Sequence, residues 1–327
     1  MDKINSSSIS NQRGVALIST ILIVAIVVTA TAFLSFEQQL WIRQAENISD
    51  RARAESVRRG AMQGALILLE EDAKDSTTDD LTEEWYTALL GGQVGDGGFV
   101  GTIQDAQSLF NLNSLINSDG KTHNPRNTAM FRRLLSAQSI DPNLVDAVLD
   151  WLDKDSQQRA YGAEDIAYLD QKIPYRIANQ KFSSVEELRL VQGFDMKSVN
   201  KLRNYLTALP DNTTPININT APPEILKAMF TIPPTDAVIQ GSIINKRPFK
   251  NKSELAANLT GQTSPDIIDY GVRTAYFNVN VTVTFGRLVR RSVALVHRTN
   301  TKTARILWQN QWVPILITED DESGSKT

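Results

Sequence analysis

The chain has 327 residues, with 34 Lys and Arg against 37 Asp and Glu, a formal charge of −3 and no Cys. Near-balanced charge excludes a general attraction for nucleic acid and implies a solvated surface. The absence of Cys excludes disulfides and a thiol nucleophile, and fits a periplasmic or surface location that relies on no disulfide.

Residues 15–36 form an apolar run of 22 residues without Asp, Glu, Lys or Arg, and the first charge after it is Glu37. As an α-helix it spans roughly 33 Å, enough for a hydrocarbon core of about 30 Å. The run is longer than the ~7–15 residues usual in a cleaved secretory signal, and no small-x-small site follows it. The helical pattern continues instead. Leu40, Ile42, Ala45, Ile48, Ala52, Val57, Ala61, Ala65, Leu66 and Leu69 recur at three- and four-residue steps, with Arg43, Glu46, Asp50, Arg51, Arg53, Glu55, Arg58 and Arg59 between them. This pattern predicts one helix over about 15–70, its first half in lipid and its second half packed on a soluble domain. The short leader, with Lys3 and Arg13 against Asp2, favours a cytoplasmic N-terminus and export of the C-terminal part.

Residues 71–80 (EDAKDSTTDD) read as a solvated loop and 81–90 as a short helix. The stretch 91–98 (GGQVGDGG) reads as a flexible turn before a strand at 99–103. About 150 residues of helical pattern then follow. Within them Ser183 and Ser184 before Glu186 and Glu187 resemble a capping box. Trp151, Tyr161, Tyr168, Tyr175 and Phe182 read as packing residues.

Asp150, Asp153, Asp155, Glu164 and Asp165 place five carboxylates within sixteen residues. With Asp153 as position 1, Asp155 is position 3 and Glu164 position 12, the spacing of oxygen ligands in a twelve-residue calcium loop. The fit is partial, because Gln157 stands at position 5 and Gln158 replaces the turn glycine. A hard cation and a solvated acidic loop are both open on spacing alone. Residues 216–226 with 249–255 look like a helix-hairpin-helix unit, and 182–206 like a weaker copy. Such units bind DNA backbone through hairpin N–H groups. Here Pro233 and Pro234 stand where those donors are needed, which favours use of the unit for stacking helices.

Near the far end, Phe277, Val279, Val281, Val283 and Phe285 alternate with Asn and Thr, and 288–297 and 305–317 make two more strands. Gly286 and Arg287 fit a hairpin turn between the first two. The strand near residue 100 and these three are expected to form one antiparallel sheet against the helix. No catalytic constellation is present: His123 and His297 have no partner in the sequence, and no phosphate loop or nucleophile elbow appears.

Gly14 before Val15, after a short basic leader, resembles a type IV prepilin-like signal. The resemblance implies cleavage after Gly14 by a prepilin peptidase and methylation of Val15. Most pilin-like subunits carry Glu at the fifth mature position, where this chain has Ser19. QDAQSLFNLNSL (104–115), DWLD (150–153), GAED (162–165), IPY (173–175), FSSVEEL (182–188) and INTAPPE (218–224) follow in the expected order. Together they resemble the general secretion pathway protein K family, minor tip pseudopilins of type II secretion systems. The resemblance implies an α+β, pilin-like fold, a long N-terminal helix packed on an antiparallel sheet, with a large inserted all-helical domain. The expected division is a leader at 1–14, a membrane segment at 15–36, pilin-like parts at 37–123 and 273–318, the inserted domain at 124–272 and an acidic tail at 319–327. It further implies a structural, non-enzymatic role in the inner membrane, with minor pseudopilins of the I, J and H types, the major pseudopilin and prepilin peptidase as partners and no nucleic acid. It favours calcium at the acidic loop, with Asp153, Asp155, Glu164 and Asp165 ahead of Asp150. A minor pilin or DNA-receptor subunit of a type IV pilus or DNA-uptake machine is the alternative.

Overall fold

An α-helix of 68 residues, α1 (Ser8–Asp75), starts the described part of the chain and carries the rest on its second half. The computed structural model describes residues 8–88, 90–259, 270–286, 288–299 and 303–313. The first half of the leader (1–7), the end of the last expected strand (314–317) and the acidic tail (319–327) lie outside the described residues. The helix is longer than expected at both ends, so Gly14 lies inside it. Nothing caps it at residue 15, and a lone Gly only weakens a helix that strong neighbours propagate.

One face of the second half of α1 packs on a five-stranded antiparallel sheet of order β1-β2-β7-β8-β9. The strands are β1 (Leu90–Val94), β2 (Gly97–Asp105), β7 (Tyr276–Phe285), β8 (Leu288–Arg298) and β9 (Ala304–Val313). The alternation in β7 does what it predicts, since Phe277, Val279, Val281, Val283 and Phe285 are all buried. They meet Ala54, Ala61, Met62, Ala65 and Leu69 of α1. The three alanines let the helix backbone approach the sheet. Two expectations are corrected here. The helix at 81–90 shrinks to one turn, α2 (Glu84–Thr87), anchored by buried Trp85. The glycine-rich stretch is itself a hairpin, with its turn at Gly95, where φ is +62°. Gly97 must lack a side chain, because a Cβ there would stand 2.4 Å from the Phe285 ring.

Between β2 and β7 the chain builds a separate helical core, which reaches back to Phe110, earlier than the expected boundary at 124. This unit is one motif used twice. In the first copy β3 (Phe110–Asn111) pairs in parallel with β4 (Leu206–Thr207). In the second, β5 (Ile216–Asn217) pairs in parallel with β6 (Tyr270–Gly271). Asn113 accepts from the Phe182 amide at 2.8 Å and donates to the Phe182 carbonyl at 2.9 Å. Asn219 does the same to Phe249, at 2.8 and 3.0 Å. The residue after each Phe donates its amide to a Glu four positions on, Ser183 to Glu187 and Lys250 to Glu254.

The helices are α3 (Pro125–Ala137), α4 (Val145–Leu152), α5 (Asp165–Leu169) and α6 (Met196–Leu202) in the first copy. The second holds α7 (Pro223–Ala228), α8 (Asp236–Val238) and α9 (Lys252–Asn258). Asn113 and Phe182 are 69 residues apart, whereas Asn219 and Phe249 are 30 apart. The extra length holds α4, α5 and the acidic loop, so that loop has no counterpart in the second copy. The expected capping at Ser184 is half present, since its hydroxyl accepts from Glu186 N over a 3-10 turn. The reciprocal capping box falls on Asp195 and Ser198 instead. Trp151, Tyr168 and Phe182 pack as expected, but Tyr161 is exposed.

Asn113→Ala removes two buried partners of the Phe182 backbone. It is expected to lower unfolding free energy by about 2–4 kcal/mol, read from urea unfolding of the full chain in detergent micelles. Asn219→Ala should behave alike.

Candidate metal centre and assembly helix

Residues 14–49 of α1 are all exposed. Among the described residues one helix is long and apolar enough to cross a membrane, and it is this one. A Cβ built on Gly14 meets nothing within 4 Å. Gly14 and Val15 therefore sit on an open helical turn, where substitution of the glycine changes no packing. Ser19 needs no outside partner, because its hydroxyl donates to the Val15 carbonyl at 2.8 Å. Thr20, Thr29 and Thr31 bond back in the same way. Each hydroxyl is thus satisfied inside the helix, which is what a hydrocarbon surround demands.

The acidic loop begins as α4 ends. Asp150 is fully buried on the last turn of α4, and Asp153, also buried, follows it directly. Glu164 precedes α5. Asp153, Asp155 and Glu164 bring one oxygen each to within 4.8 Å of one another, the three residues that fit positions 1, 3 and 12. Oδ1 of Asp153 and Oε1 of Glu164 are buried without a hydrogen-bond partner. Burial, then the charges of Asp150, Asp153, Asp155 and Asp165, push the Glu164 carboxyl up to about 7. Oxygen donors that are orphaned and mutually repelling suit a hard divalent cation.

The other two carboxylates are placed differently. Asp150 accepts from the Arg159 guanidinium at 2.5 Å and the Arg159 amide at 3.2 Å. Asp165 accepts from the Ile177 amide at 3.1 Å, which fastens α5 to the following loop. Arg159 also reaches Asp153 Oδ2 at 2.5 Å. Its role is not visible in the sequence, where it is one Arg among polar residues.

A second cluster overturns the reading of 71–80 as a solvated loop. Asp79 and Asp80 are buried. Arg298 at the end of β8 pairs with Asp72 at 2.6 Å and with Asp79. Asp79 also accepts from the Thr274 amide at 2.7 Å. Next to it Asp105 accepts from the hydroxyls of Thr220 and Thr274, both at 2.5 Å, from Asn217 Nδ2 at 2.8 Å and from the Gln107 amide at 2.7 Å. Asp72, Asp79 and Glu83 have the spacing of a metal cluster, yet none of their buried oxygens lacks a partner. Arg298 already supplies the positive charge, and the cluster is a joint between the two units.

The first helix-hairpin-helix-like element caps its own second helix. Gly193 makes the turn of the first copy with φ +88°. The Asp195 carboxylate then accepts from Ser198 N at 2.7 Å, capping α6. His297 stacks on Tyr276 at 4.7 Å, and burial lowers its pKa.

Burial pushes Asp105 up to about 6, against the hydrogen bonds from Thr220 and Thr274. Burial and Glu83 push Asp72 up to about 6, against Arg298. Both lie above the unfolded value of 3.8, so the folded chain binds the extra protons. Their contribution is fully present below the unfolded pKa and is lost as pH rises through about 6. In chelator, the melting temperature should rise as pH falls from about 7.5 to about 5, and Asp72→Asn should flatten that slope.

Residues 108–211 match the family described as Type II secretion system (T2SS), protein K. Type II secretion system protein K of Pseudomonas aeruginosa is 34% identical over 288 residues, covering 84% of this chain and 85% of the relative. That of Klebsiella pneumoniae is 34% identical over 230 residues, 67% of this chain and 70% of the relative. The fold is that of a chain in the crystal structure of the GspK-GspI-GspJ complex from the enterotoxigenic Escherichia coli type 2 secretion system. That chain has a TM-score of 0.70 and 23% identity, with 82% of this chain and 99% of that one covered.

Proposed function

The chain belongs to the type II secretion system protein K family, a minor pseudopilin family, and from that premise we propose that it stands at the tip of the pseudopilus and helps start its assembly. The observation that carries this reading is the uncovered half of α1 joined to a second, helical unit. The bare helix needs lipid first and neighbouring helices later. The helical unit is too bulky to repeat along a uniform shaft. Ser19 supports the end position. A Glu there would need a neighbour's amine, whereas the serine hydroxyl is satisfied by its own helix.

In this proposal the leader stays cytoplasmic, the helix spans the inner membrane and the C-terminal units lie in the periplasm. Prepilin peptidase cuts after Gly14, and Val15 becomes the methylated N-terminus. The exposed face of α1 then packs with minor pseudopilins of the I and J types, with the H type and the major pseudopilin below them. The assembled tip supports export of folded proteins across the outer membrane. The role is structural, not catalytic. The solved relative in complex with GspI and GspJ supports the choice of partners. The capped hairpin at Asp195 and the prolines at 233 and 234 argue against the DNA-receptor alternative.

Because the Gly14 turn is open, Gly14→Ala should leave folding intact and block removal of the leader, read by mass spectrometry of the membrane-bound chain. Normal processing and normal secretion in that strain would overturn the proposal.

The proposal extends to a structural calcium ion at the acidic loop. Asp153, Asp155 and Glu164 would hold it, and the two orphaned oxygens are what fit it there. Bound calcium would supply the charge that lets these carboxylates stay ionised and close together. Calcium is expected to raise the melting temperature of the full chain over chelator by several degrees. Glu164→Gln should remove most of that rise.

A further inference from the structure

The acidic loop contains its own cation. Nη1 of Arg159 stands 2.5 Å from Asp150 Oδ1 and 2.5 Å from Asp153 Oδ2, and both of those carboxylates are fully buried. The loop is built to place it there. Gln158 Nε2 donates to the Gly162 carbonyl at 2.7 Å, closing a tight turn around Arg159. Gly162 has to be glycine, since a Cβ would fall 1.8 Å from Asp150 Oδ2. The Arg159 amide reaches that same oxygen. The loop backbone thus lies directly on the Asp150 carboxylate and aims the guanidinium between two buried acids.

The Arg298 joint shows what a finished version of this arrangement looks like. There too one guanidinium bridges two carboxylates, but its side chain is 3% exposed and every buried oxygen of Asp72, Asp79 and Glu83 has a partner. At the acidic loop the side chain of Arg159 is 23% exposed, and two buried oxygens are left without a donor. One guanidinium pairs with Asp150 and Asp153, while Asp155 and Glu164 converge on the same loop, so the carboxylates outnumber the cation.

We infer that Arg159 is a built-in counter-cation that keeps the loop closed when metal is absent and opposes metal binding when it is present. The inference rests on the acidic loop being a metal site, as proposed above. Arg159 and a divalent cation neutralise the same Asp153 carboxylate from a few ångströms apart, so each weakens the other's hold. Such an arrangement gives a chain that folds before it meets calcium and a site that binds calcium weakly and reversibly. Both suit a protein made on one side of a membrane and used on the other.

The test is calcium titration of the full chain in detergent micelles, by calorimetry and by melting in calcium or chelator. Arg159→Gln removes the charge and keeps polar reach. It is expected to melt several degrees lower than wild type in chelator, to gain more on adding calcium, and to bind calcium at least about tenfold tighter, a lower bound well inside the interaction of two close charges at an effective protein dielectric. Arg159→Lys, which keeps the charge but not the planar fork, should bind calcium closer to wild type than Arg159→Gln does. If Arg159→Gln folds only in calcium, the inference is borne out in its strongest form. If wild type binds calcium and Arg159→Gln binds it no tighter, Arg159 merely shapes the loop and the inference fails. If Arg159→Gln does not fold even in calcium, the inference fails as well. If wild type takes up no calcium, the metal reading fails first and takes the inference with it.

Discussion

The chain leaves the sheet unit at Asp105 and returns to it past Thr274, and those two side chains are hydrogen-bonded to each other at 2.5 Å. Everything between them, the whole helical unit, hangs from that crossing. Asp105 gathers donors from both units, Gln107 and Thr274 from the crossing itself and Asn217 and Thr220 from the second helical copy. Beside it Asp79 ties the end of α1 to Thr274, and Arg298 balances Asp79 and Asp72 from the sheet. A buried carboxylate network of this kind is costly unless every member is satisfied, and here each buried oxygen has a partner. The joint therefore holds the helical unit in one orientation on the sheet. At the proposed tip position, a second unit held in one direction would present a defined surface at the end of the filament.

Two opposite demands meet along α1. Its first half packs on nothing among the described residues, and the hydroxyls of Ser19, Thr20, Thr29 and Thr31 are turned back onto the helix backbone. Its second half alternates small and large apolar residues against β7. The same continuous helix is thus bare and apolar at one end and covered by a sheet at the other. In the proposed tip position the first half would be the part that neighbours share, and the second half would fix where the soluble units stand relative to the membrane.

Inside the helical unit the duplicated Asn–Phe brace explains how two small cores become one. Each Asn replaces a missing strand partner for the backbone of a Phe, so each short parallel pair is locked to the helix that follows. The first copy then tolerates a long insertion, because its brace closes over 69 residues as well as the second closes over 30. The acidic loop lies within that insertion, bounded by α4 and α5. A site placed there can acquire ligands without disturbing the brace.

The local patterns of the sequence determined a great deal. The 22-residue uncharged run marked the bare apolar half of α1, the alternation from Phe277 to Phe285 marked the buried strand, and the 1, 3, 12 spacing found the three carboxylates that converge. Each of these signals lies within a few turns or one strand, where side-chain direction follows from the residue period. What escaped was set by partners far along the chain. The acidic stretch 71–80 reads as solvent-facing, yet Asp79 is buried because Arg298, 219 residues away, meets it. The glycine-rich stretch 91–98 reads as a turn, yet it is a hairpin because β7 is there to pair with it. Arg159 is anonymous in sequence and central in space. Burial of a charge is decided by its counter-charge, and only the tertiary structure brings the two together.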